Sequence, residues 1–163
     1  MIHEESKLQQ ECVAWFRSEY PQYAMLLTHV PNEGNGNRIT GSIRKAEGVM
    51  PGVPDLLLFM PASFSTDEIT QMYYLLGLEF KTKKGSQSQV QKDFQKIFEA
   101  AGYMYVIIRS KEQFKEVINN YIAHVAPVRR QSIASAHVEI VQAKERKEKA
   151  HFYKVIGKPM PEE

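Results

Sequence analysis

The chain has 163 residues, 43% hydrophobic and 25% charged, with a formal net charge of +2 at pH 7, the profile of one ordinary globular domain with an appendage. No apolar run approaches the roughly 20 residues of a bilayer crossing, and the first residues lack the basic-then-apolar build of a secretory signal. A single cysteine excludes an internal disulfide, and a cytoplasmic protein is expected.

The small net charge hides an uneven distribution. Residues 127–163 hold eight Lys/Arg against five Asp/Glu, which leaves the first 126 residues with one negative charge in excess. Within that first part, residues 79–96 carry five lysines against two acids, a local basic stretch.

Leu8, Cys12, Trp15 and Phe16 recur at helical spacing until Tyr20-Pro21 breaks the pattern, which predicts an amphipathic first helix. Cys12 lies in the apolar stripe and reads as a buried structural thiol rather than a nucleophile. Projected at about 100° per residue, Glu5 falls roughly 20° from the mean direction of Leu8, Cys12, Val13, Trp15 and Phe16. A carboxylate aimed inward must be paired, protonated or bound to a cation; the alternative is a frayed first turn with Glu5 in water.

Residues 24–30 read as a short strand, ended by the turn-rich Pro31-Asn-Glu-Gly-Asn-Gly-Asn37. From there to Pro54 little regular structure is expected, a connection long enough for a working loop. It carries Arg38, Arg44 and Lys45, which either reach phosphates or are simply solvated. Two apolar runs of strand length follow, 55–60 and 73–81, for which the simplest topology is antiparallel. Setting Asp55 opposite Glu79 also sets Met60 opposite Tyr74 and leaves the turn-rich segment after Pro61 as the connection.

Ser88 stands three residues before Gln91, a capping box that opens a helix through Val90, Phe94, Ile97, Phe98 and Ala101, closed by Gly102. A strand over 103–109 comes next. Ser110 and Gln113 repeat the cap and open a helix through Phe114, Val117, Ile118, Tyr121 and Ile122. The expected order is α-β-β-β-α-β-α, a mixed α/β fold with a central mixed sheet flanked by helices. Residues 1–125 form this domain, and 126–163 form a charged extension with an exposed helix over 135–150.

Chemistry gathers at Glu79-Phe80-Lys81. Strand side chains alternate, so Glu79 and Lys81 share a face, and the antiparallel register brings Asp55 beside them. Two carboxylates held that close repel unless a cation separates them, and oxygen ligands select hard ions such as Mg²⁺. Lys81 then orients an attacking water or neutralises developing negative charge. A general-base role is harder to defend, because an ordinary lysine pKa is about 10.4 and neighbouring carboxylates push it higher. The bland alternative is a hairpin in which Asp55 ends a Pro-Gly turn and Glu79 and Lys81 form an ordinary ion pair.

Pro54-Asp55 with Glu79-Phe80-Lys81 resembles the PD-(D/E)xK nuclease superfamily, and the finer pattern resembles its VRR-NUC branch, the virus-type replication-repair nucleases. The matching blocks are Glu5-Ser-Lys-Leu-Gln9, His29-Val-Pro-Asn32-Glu-Gly, Gly52-Val-Pro-Asp55-Leu, Glu79-Phe-Lys81 and Gly85-Ser-Gln-Ser88-Gln-Val-Gln91, spanning 5 to about 122 with the elements between them. The resemblance implies a restriction-endonuclease-like core and a Mg²⁺- or Mn²⁺-dependent DNA nuclease acting in repair or recombination. By the same likeness Asp55 and Glu79, with the Phe80 carbonyl, are metal ligands, and Lys81 is the catalytic lysine. Gln91 is a supporting group near the site, with helix capping as its alternative role, and Glu5 is a further acid at the rim. His29, Asn32, Arg38, Arg44, Lys83, Lys84 and Ser88 are candidate DNA contacts.

Lacking other DNA-binding domains, the chain is similar to stand-alone members from bacteria or phage-infected cells, which resemble Holliday-junction resolvases and act as homodimers. The implied substrate is branched, junction or flap DNA, and the basic tail serves as a dimer contact, a phosphate-binding arm or a solvated helix. The rival readings are a restriction-like or nicking endonuclease on duplex or single-stranded DNA, and a catalytically weak DNA-binding accessory protein.

Overall fold

The computed structural model describes residues 4–31, 43, 46–156 and 159–161. Helix α1, Glu4–Glu19, buries Cys12 and Phe16 of the expected stripe. A 3₁₀ helix, Pro21–Leu26, then takes the first three residues of the segment read from sequence as strand, and β1 is only Leu27–His29. Pro21 fixes the opening φ of that tight helix, Tyr23 is buried, and the Tyr20 and Tyr23 rings stack with centroids 6.0 Å apart.

Strand β2, Leu56–Leu58, runs antiparallel to β1, and the two strands of the expected pair are shorter than the apolar runs that encode them. Between them the structure inserts a hairpin, β3 (Ala62–Ser65) and β4 (Thr70–Tyr73), as a separate two-stranded sheet. This corrects the expected order α-β-β-β-α-β-α, in which 61–72 was connection alone. Ala62 is buried, Phe64 stacks on His124 at 4.0 Å, and Ser63 N–H donates to the His124 carbonyl at 3.0 Å. The alternation Ala62-Ser-Phe64-Ser is a strand pattern of period two, outweighed in the sequence by its serines and prolines.

Strand β5, Leu76–Phe80, pairs with β2 antiparallel, Leu56 facing Leu78 and Leu58 facing Leu76. One step further along this register Asp55 faces Glu79, as expected. Helix α2, Gln89–Ala100, crosses over to β6, Met104–Ile108, which lies parallel to β5, and α3, Lys111–Ala123, follows. The main sheet has the order β1-β2-β5-β6, mixed and flanked by helices.

β5 is buried along its whole length, so its two faces are decided by what covers them. Phe80 points to one face, where its ring lies 6.1 Å from Phe114 of α3, itself 5.9 Å from Trp15 of α1. Gly77 points to the other, beneath α2: a Cβ there would stand 2.7 Å from Pro54 Cγ and 3.0 Å from the Phe98 ring. Alternation therefore places Glu79 on the α2 side, next to the first turns of that helix.

The chain divides into two compact units, Met1–Ala126 and Pro127–Glu163. Among its described residues the second holds one helix, α4, Pro127–Val155, which has no buried residue. It starts earlier than the expected 135–150 because a proline costs nothing in a first turn, where its missing N–H has no partner to lose. Among the described residues no helix is long and apolar enough to cross a membrane.

Candidate active site

Asp55 and Glu79 are delivered by neighbouring strands, and each is fixed by its own donors. Asp55 Oδ2 accepts the Phe80 N–H at 2.7 Å, just beyond the last ladder pair of β2 and β5. In a strand the N–H and C=O of one residue point the same way, so the Phe80 carbonyl also lies towards Asp55. Glu79 is 1% exposed. Its Oε1 accepts from Lys81 Nζ at 2.5 Å and from Gln91 Nε2, and its Oε2 accepts from the Tyr105 hydroxyl at 3.3 Å.

Burial raises both carboxyls above the ordinary carboxylate range. For Asp55 the Phe80 N–H and then Lys81 oppose the shift, while the charge of Glu5 adds to it. For Glu79 the hydrogen bond from Lys81 opposes it and the charge of Asp55 adds to it. Glu5, Asp55 and Glu79 thus press on one another in sequence, with Lys81 the cation that acts on both Asp55 and Glu79. Burial and then the charge of Glu79 likewise push the Tyr105 phenol well above its usual range, so it remains a proton donor to that carboxylate.

Gln91 makes contacts that match both alternatives its position in the sequence left open. Its Oε1 accepts the Ser88 N–H at 2.9 Å while Ser88 Oγ accepts the Gln91 N–H at 3.3 Å, closing the capping box of α2. Its Nε2, at the other end of the same amide, donates to Glu79. The cap fixes which end of the amide faces the carboxylate.

Glu5 is directed inward, but its Oε1 accepts the Thr82 N–H at 2.9 Å and so grips the loop after β5. His29 Nδ1 lies 2.9 Å from the backbone carbonyl of Asp55 and 2.9 Å from Gln9 Nε2. Lys83 and Lys84 are exposed beside the site, and Ser88 is occupied as the helix cap. Asn32, Arg38 and Arg44 lie outside the described residues. Cys12 is buried, and burial pushes its thiol up to about 12, which leaves it no nucleophilic thiolate at neutral pH.

Two residues of this surround were missed in the sequence. Tyr105 sits on β6 opposite Gly77 in the parallel ladder, and Arg109 follows the last residue of β6, donating to the carbonyls of Thr82 and Gly85. Arg109 carried a usable signal: it is a charged residue at the carboxyl end of a parallel strand, where open α/β sheets place ligands. Tyr105 carried none, since a tyrosine in an apolar strand is ordinary.

Among the described residues no three His, Cys, Asp or Glu side chains converge as a metal-holding group. Two carboxylates and a carbonyl do gather at one end of the two central strands, with more negative charge than Lys81 offsets. That donor set suits a hard divalent ion that keeps several of its waters, and does not form a closed protein cage.

No protein-family model and no curated protein matches this chain. Among solved structures it is similar to a chain titled VRR_NUC domain protein, at 20% identity and a TM-score of 0.61 over 77% of this chain and 93% of that one. That likeness establishes the fold, a mixed α/β architecture of the VRR-NUC, restriction-endonuclease-like kind.

Proposed function

We propose that this protein is a metal-dependent DNA nuclease that hydrolyses phosphodiester bonds. One observation carries the reading: Asp55, Glu79 and Lys81 gather at one end of the two central strands, Glu79 buried and Asp55 half-buried with both carboxyls raised, and Lys81 paired with Glu79 while its charge also acts on Asp55. The bland alternative, an ordinary surface ion pair, fits poorly with side chains that are 1% and 10% exposed. The fold shared with a VRR_NUC domain protein points the same way.

In this reading Asp55, Glu79 and the Phe80 carbonyl hold Mg²⁺ or Mn²⁺. The bound ion supplies a Lewis acid for the phosphodiester and stabilises the charge of an in-line displacement. Glu79 fixes the Lys81 ammonium, which orients the attacking water and meets negative charge as it builds on the phosphoryl oxygens. Gln91 and Tyr105 hold Glu79 in one orientation, and Asp55 is held by the Phe80 N–H. Glu5 acts at the rim through Thr82, and Lys83, Lys84 and His29 lie where the DNA backbone would pass. Residues 1–125 are the nuclease domain, and the remainder is the dimer or DNA contact.

Labelled junction, flap, duplex and single-stranded DNAs incubated with Mg²⁺, Mn²⁺ or EDTA test the reading. Cleavage should require the metal and be lost in Asp55→Asn and Glu79→Gln; cleavage persisting in EDTA would overturn it. Preference for branched DNA and a homodimer are part of the proposal, because one site cuts one strand and symmetric cutting of a junction takes two. Light scattering of the full chain and of residues 1–126 would show whether a dimer exists and whether 127–163 builds it.

A further inference from the structure

We infer that Arg109 is a positioning residue that sets the Lys83-Lys84 turn against the phosphates of the substrate strand, an inference that rests on the nuclease reading. Its Nη1 donates to the Thr82 carbonyl at 2.6 Å and to the Gly85 carbonyl at 2.8 Å. Those carbonyls belong to the first and last residues of a β-turn closed by the Gly85 N–H on Thr82 O at 3.1 Å. One guanidinium nitrogen therefore clasps both ends of the turn.

Three further hydrogen bonds and a close fit make the clasp rigid. From the α1 side Glu5 Oε1 accepts the Thr82 N–H at 2.9 Å. Gly85 fits because a Cβ there would stand 2.9 Å from Thr82 Oγ1 and 3.2 Å from Glu5 Oε1. The arginine itself is fixed at its backbone: Arg109 N–H donates to Gln113 Oε1 at 2.8 Å, and Gln113 Nε2 donates to the Ile107 carbonyl at 2.9 Å. The clasp thus ties the turn to the start of α3.

The turn holds Lys83 and Lys84 at its corners, both exposed. Among the described residues neither corner N–H donates to a backbone carbonyl, which leaves two backbone donors in the same turn as the two ammonium groups. Such an array suits the oxygens of a nucleic-acid backbone, where contacts position a strand without reading its sequence. Lys81, by contrast, is secured independently, by its N–H on the Ile108 carbonyl at 3.0 Å and by Glu79. Removing the guanidinium should loosen the binding turn and leave the reacting lysine in place.

The test compares wild type, Arg109→Ala and Arg109→Lys as full-length chains. Steady-state cleavage with Mg²⁺ should show KM raised about tenfold in Arg109→Ala with kcat within about threefold, the scale expected for losing charge-assisted contacts. Arg109→Lys should recover part of the loss. A purely structural role would instead lower kcat through the fraction of folded enzyme, and that result overturns the inference. Two readouts stand apart from turnover. Amide hydrogen exchange in Arg109→Ala should accelerate at Thr82 and Gly85 while Lys81 stays protected, and fluorescence anisotropy of the same DNAs in Ca²⁺ should show the same loss of affinity. If wild type cuts none of the DNAs, the nuclease reading fails, and the anisotropy still judges Arg109. Unchanged exchange or unchanged affinity in Arg109→Ala sinks the proposal whether or not the protein cuts.

Discussion

Lys81→Met keeps the aliphatic stem of the lysine and removes the ammonium that donates to Glu79 Oε1 at 2.5 Å. With a side chain 1% exposed, Glu79 would keep two weaker donors, Gln91 Nε2 and the Tyr105 hydroxyl, but no cation. Breaking one partner out of a buried pair typically costs 3–5 kcal/mol, and the surviving donors place this case near the lower end, about 3 kcal/mol. At roughly 2–4 °C per kcal/mol for a chain of this size, the melting midpoint should fall by about 10 °C.

The loss should depend on pH in a defined direction. Burial is what raises the Glu79 carboxyl, and the Lys81 hydrogen bond is the main effect opposing that rise. Without it the folded-state pKa climbs further above the unfolded value of about 4.3. The folded chain then keeps a proton that the unfolded chain releases, so stability is greatest below that value and falls as pH rises towards the folded pKa. Denaturant titrations of wild type and Lys81→Met in EDTA, repeated from acid to mildly alkaline pH, should show a deficit that is small in acid and grows with pH. A deficit under about 1 kcal/mol at pH 8, or one independent of pH, would refute this account of the pair.

Other perturbations separate neighbouring roles. Gly77→Ala puts a methyl 2.7 Å from Pro54 Cγ and should cost about 1–3 kcal/mol by overpacking, seen as a lower midpoint with activity falling alongside because Asp55 follows Pro54. Gln91→Glu keeps the capping acceptor for Ser88 and replaces the donor to Glu79 with a second carboxylate; helix content should survive while cleavage is lost, whereas Gln91→Ala should weaken both. Saturating Mg²⁺ should raise the wild-type midpoint, by about 2.7 kcal/mol of stability at 100 times Kd, and leave Asp55→Asn nearly unmoved. Iodoacetamide should label Cys12 only on unfolding, and labelling of the native chain at neutral pH would contradict its buried, raised thiol.

The register that sets Asp55 beside Glu79 was more legible in the sequence than the small hairpin next to it, for a physical reason. Pairing Asp55 with Glu79 needed only strand periodicity and the wish of two apolar runs to face one another, and the observed Leu56 to Leu78 pairing has that register. Helix α2 announced itself through Ser88 and Gln91, whose reciprocal bonds are purely local. What escaped depends on distant partners. β3 and β4 are anchored by Phe64 on His124, sixty residues away in the chain, while their own composition favours turns. Residues 24–26 have strand composition, yet Pro21 and the packing of Tyr23 wind them into a 3₁₀ turn. The position of Arg109 at the end of a parallel strand could be read, but its partners are two carbonyls, which leave no trace in a sequence.

Gly52 links two parts of the molecule in a way that bears on how the site tolerates change. It takes φ +88°, and a Cβ there would lie 2.7 Å from the carbonyl oxygen of Val90. The chain thus brushes the backbone of α2 one residue before Gln91 and three residues before Asp55. Two walls of the candidate site, one from a strand entry and one from a helix start, therefore meet at Gly52. A side chain larger than hydrogen at Gly52 would widen the gap between aspartate and glutamine without touching either, a lever by which the spacing of the charged groups can be tuned from outside the site.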